Sequence, residues 1–189
     1  MGGRQAGDPR PGRVLAVRPA LRRGRRAGFV TAKGGKISTA ARGRRQDAPD
    51  ISGTTVAGGP AAVSDYRGKV VVLNIRGSWC DPCRTEAPGF QRAWEKHRDQ
   101  GVQFLGLNTR DHDVANPRRF EQERGISHPS LFDPDGVNML KFPKGSLNPQ
   151  FIPTTLVIDR EGRLAARGFG GQSPEDLESL LLPVLAEQP

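Results

Sequence analysis

A chain of 189 residues, 35% hydrophobic and 26% charged, has the length and balance of one soluble domain with or without a tail. Such a chain buries a core without a disulfide scaffold or structural metal, and no stretch is apolar for long enough to span a membrane. The formal charge of +9 is not spread evenly: residues 1–45 carry 13 Lys/Arg against Asp8 alone, net +12, and residues 46–189 carry 16 basic and 19 acidic residues, net −3.

Residues 1–45 are rich in Gly, Pro, Arg and Ala without helical or strand periodicity, and predict a disordered basic tail. The longest apolar run, residues 14–17, is fenced by Arg13 and Arg18, and the pairs Arg22-Arg23 and Arg25-Arg26 are followed only by Ala27-Gly28-Phe29-Val30 and two further uncharged residues before Lys33. No secretory or twin-arginine signal is read there, nor, without a cysteine, a lipoprotein anchor, so the chain as written reads as cytoplasmic. No aromatic residue interleaves the arginines as a nucleic-acid stacking surface requires, so no specific nucleic-acid partner is expected. The tail reads as a solvated arm with salt-sensitive affinity for polyanions, or as a product of where translation was taken to start. On either reading it is dispensable, and the domain spans residues 46–189.

From Asp47 strand and helix signals alternate. Residues 47–64 predict a loose entry hairpin, and Arg67-Gly68-Lys69 a turn. Residues 70–75, Val-Val-Val-Leu-Asn-Ile, predict a central strand buried on both faces. Phe90, Trp94 and His97 at i, i+4 and i+7 predict a helix closed by Gly101, with Pro88 inside it expected to kink it. Residues 102–107 predict a second buried strand, 115–124 a polar helix ended by Gly125, 130–132 a short strand and 137–142 a short helix. Residues 154–158 and 164–168 form a hairpin about the turn Asp159-Arg160-Glu161-Gly162. Ser173 caps a last helix with Pro174 at its first position and an apolar stripe of Leu177, Leu180, Leu181, Val184 and Leu185. This order predicts an α/β fold.

The only two cysteines, Cys80 and Cys83, stand in Trp79-Cys80-Asp81-Pro82-Cys83-Arg84, where the first central strand hands over to a helix. Unpaired N–H groups and the dipole at a helix start favour the Cys80 thiolate, and a thiol one turn in is placed to attack a mixed disulfide formed by it. Zinc would need two further ligands, and His97, His112 and His128 are not paired at ligand spacing, so no metal is expected. A purely structural disulfide closing so short a loop would be a poor staple.

Residues 77–88, Gly-Ser-Trp-Cys-Asp-Pro-Cys-Arg-Thr-Glu-Ala-Pro, together with the downstream Ile152-Pro153-Thr154, resemble the active-site signature of the thioredoxin fold. The resemblance is to the TlpA/ResA-like disulfide reductases of the bacterial cell envelope, and it extends over about residues 46–189. It implies a thioredoxin-like fold: a central mixed β-sheet flanked by helices, with a TlpA-type insertion and an N-terminal hairpin.

The resemblance also implies roles. Cys80 would be the nucleophile, Cys83 the resolving thiol, and Glu86 the carboxyl that exchanges a proton with Cys83; otherwise Glu86 is an ordinary surface glutamate. Pro153 would be the cis-proline facing the disulfide, presenting backbone groups to an extended substrate with Ile152 and Thr154, or else a trans proline opening an edge strand. Trp79 and Pro82 would border the substrate, although Trp79 also suits a core aromatic. Arg76 departs from the pattern, standing where an aromatic or small residue is usual.

The implied activity is thiol-disulfide exchange without a cofactor by a monomer, chiefly reducing protein disulfides, apocytochrome c among the candidate substrates. Electrons would come from a membrane thiol carrier in the envelope or a thioredoxin-type donor in the cytosol. The alternatives are a thiol peroxidase of peroxiredoxin type, for which Ser78-Trp79-Cys80 lacks the Thr-x-x-Cys arrangement, and a non-enzymatic adaptor with a basic tail.

Overall fold

The computed structural model describes residues 28–31 and 35–188. Among the described residues nine strands and three α-helices follow one another: β1 (Val30–Thr31), β2 (Ile37–Thr39), β3 (Ser52–Thr54), β4 (Pro60–Ala62), β5 (Val70–Arg76), α1 (Asp81–His97), β6 (Val102–Thr109), α2 (Ala115–Arg124), β7 (Ser130–Asp133), β8 (Thr154–Ile158), β9 (Leu164–Phe169) and α3 (Pro174–Leu185). Seven strands form one mixed sheet in the order β1-β2-β9-β8-β5-β6-β7, and β3 and β4 pair as the predicted entry hairpin. The strand β5 is central, parallel to β6 and antiparallel to β8. The short helix expected at 137–142 is a single 3₁₀ turn, Met139–Lys141.

Successive side chains on a strand point to opposite faces, so the unbroken apolar run of β5 divides by parity. Val71, Leu73 and Ile75 join Leu105, Leu107, Leu156 and Ile158 in a core on one side of the sheet. Val70 and Val72 join Phe90, Phe104, Leu177 and Leu181 in a second core under α1 and α3. Asn74 and Arg76 share the parity of Val70 and Val72, which aims two polar side chains at the α1 side, where both are buried. Phe104, central to this second core, meets Phe90 edge-on with ring centroids 6.1 Å apart. His97 at the end of α1 ties to Glu178 of α3 through Nε2, 3.0 Å from Oε1.

The predicted disordered tail is corrected over its last residues. Ile37–Thr39 pair antiparallel with β9, and Val30–Thr31 extend that edge by pairing with Ser38 and Thr39. The physical reason is an anchor that local periodicity does not display: Arg45 donates through Nη1 to Asp159 at 2.9 Å and through Nη2 to Glu187 at 2.5 Å, with its side chain only 4% exposed. The remainder of the predicted tail, residues 1–27 and 32–34, lies outside the described residues. Arg45→Ala would remove two charge-assisted hydrogen bonds, leaving Asp159 to Arg163 Nε at 3.2 Å, and is expected to destabilise the domain by about 2 kcal/mol, read from the urea midpoint. Deleting residues 1–45 removes β2 as well and is expected to cost more than Arg45→Ala alone.

Candidate active site

Cys80 closes the turn after β5 as the N-cap of α1; Pro82 sits in the first helical turn, where a missing N–H leaves nothing unpaired, and Asp81 precedes it. The backbone N–H of Cys83 points at Cys80 Sγ from 3.3 Å, the cap interaction that makes this end of α1 hospitable to a thiolate. The two sulfurs are joined in a disulfide, with Cα atoms 5.3 Å apart. Cys83 is fully buried, and Cys80 at the helix start is itself only 4% exposed. Trp79 beside it is 49% exposed, so it borders the site from outside rather than filling the core.

Opposite the disulfide lies the segment before β8. The Ile152–Pro153 peptide bond is cis, and the Ile152 carbonyl oxygen is 3.7 Å from Cys80 Sγ. Thr154 Oγ1 donates to the Phe151 carbonyl at 2.7 Å and closes this segment on itself. Phe151 is exposed; its ring centroid lies 6.0 Å from that of Phe169, and the Arg167 guanidinium lies 4.6 Å from the rings of both Phe169 and Phe29. A stack thus runs from the N-terminal edge of the sheet to the segment facing the cysteines. On the other flank Asp111 accepts from Ser78 N at 2.8 Å, Ser78 Oγ at 2.5 Å and Asn108 Nδ2 at 2.9 Å, pinning the turn that delivers Trp79 and Cys80.

Glu86 follows Cys83 by three residues and so shares its face of α1. It is 5% exposed, which sets aside the surface-glutamate alternative. Its Oε1 accepts from Asn74 Nδ2 at 2.9 Å and its Oε2 from the Gln172 backbone N–H at 2.8 Å. Burial pushes the carboxyl up to about 7, and the two donors and the Arg76 charge hold it from rising further. Asp81, Pro82, Thr85, Glu86, Arg92 and Gln172 are among the residues lining a groove of about 680 Å³, which gives this carboxyl a route to solvent.

The predicted residues Trp79, Cys80, Pro82, Cys83, Glu86, Ile152, Pro153 and Thr154 therefore converge on one end of the sheet from two distant parts of the chain. Asn74, Arg76, Asp111 and Gln172 were not among them. One signal for Asn74 was legible: it is the single polar residue in the run 70–75, at the parity that faces α1. Nothing local marks Gln172, whose backbone N–H reaches Glu86 only because α3 folds back against α1.

Residues 45–167 match the AhpC/TSA family. The chain is 32% identical over 131 residues to the thiol-disulfide oxidoreductase ResA of Geobacillus kaustophilus, covering 69% of this chain and 72% of that protein. It is 29% identical over 136 residues to ResA of Bacillus thuringiensis, covering 72% and 75%. Among solved structures, a secreted thiol-disulfide isomerase from Corynebacterium glutamicum superposes with a TM-score of 0.75 at 30% identity, over 84% of this chain and 97% of that one. A DsbF homologue from Corynebacterium diphtheriae gives 0.74 at 28% identity, over 84% and 99%. A cysteine pair capping a helix beneath a cis-proline segment, on a sheet shared with these proteins, places the chain in the AhpC/TSA family as a thiol-disulfide oxidoreductase of the ResA-like kind.

Proposed function

We propose that the protein works as a reductant of protein disulfides. The observation that carries this reading is Glu86, a buried carboxyl balanced near neutrality one helical turn beyond Cys83. A reductant must deprotonate its second, buried thiol in every turnover, and Glu86 is placed to take that proton. In the reduced enzyme the Cys80 thiolate, supported by the Cys83 N–H, attacks one sulfur of a substrate disulfide; the other substrate sulfur leaves as a thiolate and a mixed disulfide forms. Cys83 passes its proton to Glu86 and attacks Cys80 Sγ, closing the Cys80–Cys83 disulfide and expelling the second substrate thiolate. Glu86 returns the proton through the groove, and a dithiol donor restores the enzyme. Trp79, Phe151 and the Ile152 carbonyl border the approach to Cys80 and suit an extended, partly apolar peptide.

The proposed setting is the cell envelope, with oxidised apocytochrome c as a substrate class and a membrane thiol carrier as donor. Support comes from the ResA relatives and from the secreted isomerase, which matches over most of both chains. The test uses reduced and oxidised full-length protein with insulin and with a Cys-x-x-Cys-His peptide. Reduced protein is expected to open both disulfides, with Cys80→Ser inactive. Oxidised protein that converts the dithiol peptide to its disulfide, while reduced protein leaves disulfides intact, would reverse the assigned direction.

A further inference from the structure

Arg76 stands where the family pattern has an aromatic or small residue, and the chemistry above does not use it. It is the last residue of β5, buried to 2% exposure, with its guanidinium held in place from several sides. Nη2 donates to Glu121 Oε1 of α2 at 3.0 Å and to Ser130 Oγ of β7 at 2.7 Å. Phe120 lies under it, 5.6 Å from the guanidinium carbon to the ring centroid. The neighbouring strand makes room with Gly106, where a Cβ would come within 3.0 Å of Nη2 and against the Ser130 side chain.

The remaining contact leads to the active site. Nη1 faces Asn74 Oδ1 at 3.5 Å, and Asn74 Nδ2 donates to Glu86 at 2.9 Å. A guanidinium has only donors, so the Asn74 atom turned toward it must be the carbonyl oxygen. The amide is thereby prevented from flipping, and it presents its NH₂ to Glu86. With the Gln172 N–H on the other oxygen, both carboxylate oxygens meet donors.

We propose that Arg76 is a positioning residue of the active site, which through the fixed Asn74 amide and its own buried charge holds Glu86 toward the carboxylate form. Without Arg76 the amide is free to turn its oxygen to Glu86 and accept a proton from it, and the favourable charge is lost; both changes make Glu86 keep its proton to higher pH. Other groups share the surroundings of Glu86. From α1, Asp81 and Arg92 line the same groove, and from β8 Thr155 Oγ1 lies 3.4 Å from the Asn74 amide nitrogen. From the start of α3 come Ser173 and Pro174, with Glu175 and Asp176 in its first turn. Glu121 acts on Arg76 instead, offsetting its charge, and His128, pushed down to about 3 by burial and by the Arg76 charge, is neutral at physiological pH.

The test follows the Glu86 carboxyl itself, by ¹³C NMR titration of the oxidised full chain. Arg76→Met, and Arg76→Met with Glu121→Gln so that the half-buried Glu121 carboxylate is not left unpaired, are expected to raise the Glu86 midpoint by about one pH unit. Glu121→Gln alone removes the charge that offsets Arg76 and is expected to lower it. An unchanged midpoint in the folded double variant, or a rise in Glu121→Gln, would overturn the inference; should the Arg76 variants not fold, Glu121→Gln decides alone. The inference rests on the proposed proton role of Glu86 only for its effect on rate. Midpoints that move as expected while exchange ignores Glu86 would sink that role and leave the positioning by Arg76 standing.

Discussion

Replacing Cys83 by alanine is expected to stop turnover and to leave the protein captured on its substrate through Cys80. The first attack needs only the Cys80 thiolate at the helix cap, whose stabilising partner is the backbone N–H of residue 83 and survives the substitution. The second attack needs the sulfur of residue 83, so the mixed disulfide persists. Loss of a covalent partner at this level lowers the multiple-turnover rate by at least about a thousandfold. The captured species is read as a mass adduct on a non-reducing gel that dithiothreitol releases. Cys80→Ala is expected to give neither turnover nor capture, because the remaining thiol is fully buried beneath the helix start. Efficient capture by Cys80→Ala would interchange the two roles.

Glu86→Gln is expected to change both the stability curve and the rate profile with pH. The carboxyl is raised from its ordinary value of 4.5 to about 7 by burial, so the folded state holds the proton more tightly than the unfolded chain does. Folding suffers no ionisation penalty from Glu86 below pH 4.5; the penalty grows as pH rises and is complete above about 7. Its size is on the order of 3 kcal/mol. Glutamine carries no charge at any of these pH values, so the variant's stability relative to wild type should improve by about that amount across this window, whatever constant offset the amide introduces against its two donors. Urea unfolding of the oxidised proteins at a series of pH values measures it, and a flat difference would show that Glu86 is not desolvated as its burial indicates. Over the same range the variant should exchange disulfides about a hundredfold more slowly and lose the rate step near neutrality, since the amide accepts no proton from Cys83.

Much of this protein was determined by local sequence. The run at 70–75, rich in β-branched residues, reads as a buried central strand because neither face alternates, and it is one; the caps at Ser173 and Gly125 and the hairpin of 154–158 with 164–168 about Asp159 are short-range hydrogen-bond chemistry that a few neighbouring residues decide. Cys80 and Cys83 announced the chemistry for the same reason, since their spacing and their place at a strand-to-helix junction are local facts. Tertiary structure alone decided what depends on groups far apart in the chain. Residues 37–45 lack periodicity because their order comes from pairing with β9 and from Arg45 meeting Asp159 and Glu187, more than a hundred residues away. The ionisation of Glu86 was legible only through the family resemblance: a glutamate in the first turns of a helix is ordinarily solvated, and the closure of β5, α1 and the loop before α3 around it is what removes water and supplies the Asn74 and Gln172 donors. Arg76 was legible as an oddity but not as a partner, because its meaning lies in the alternation of β5, which turns it to the same side as Asn74 and so toward the carboxyl beneath α1.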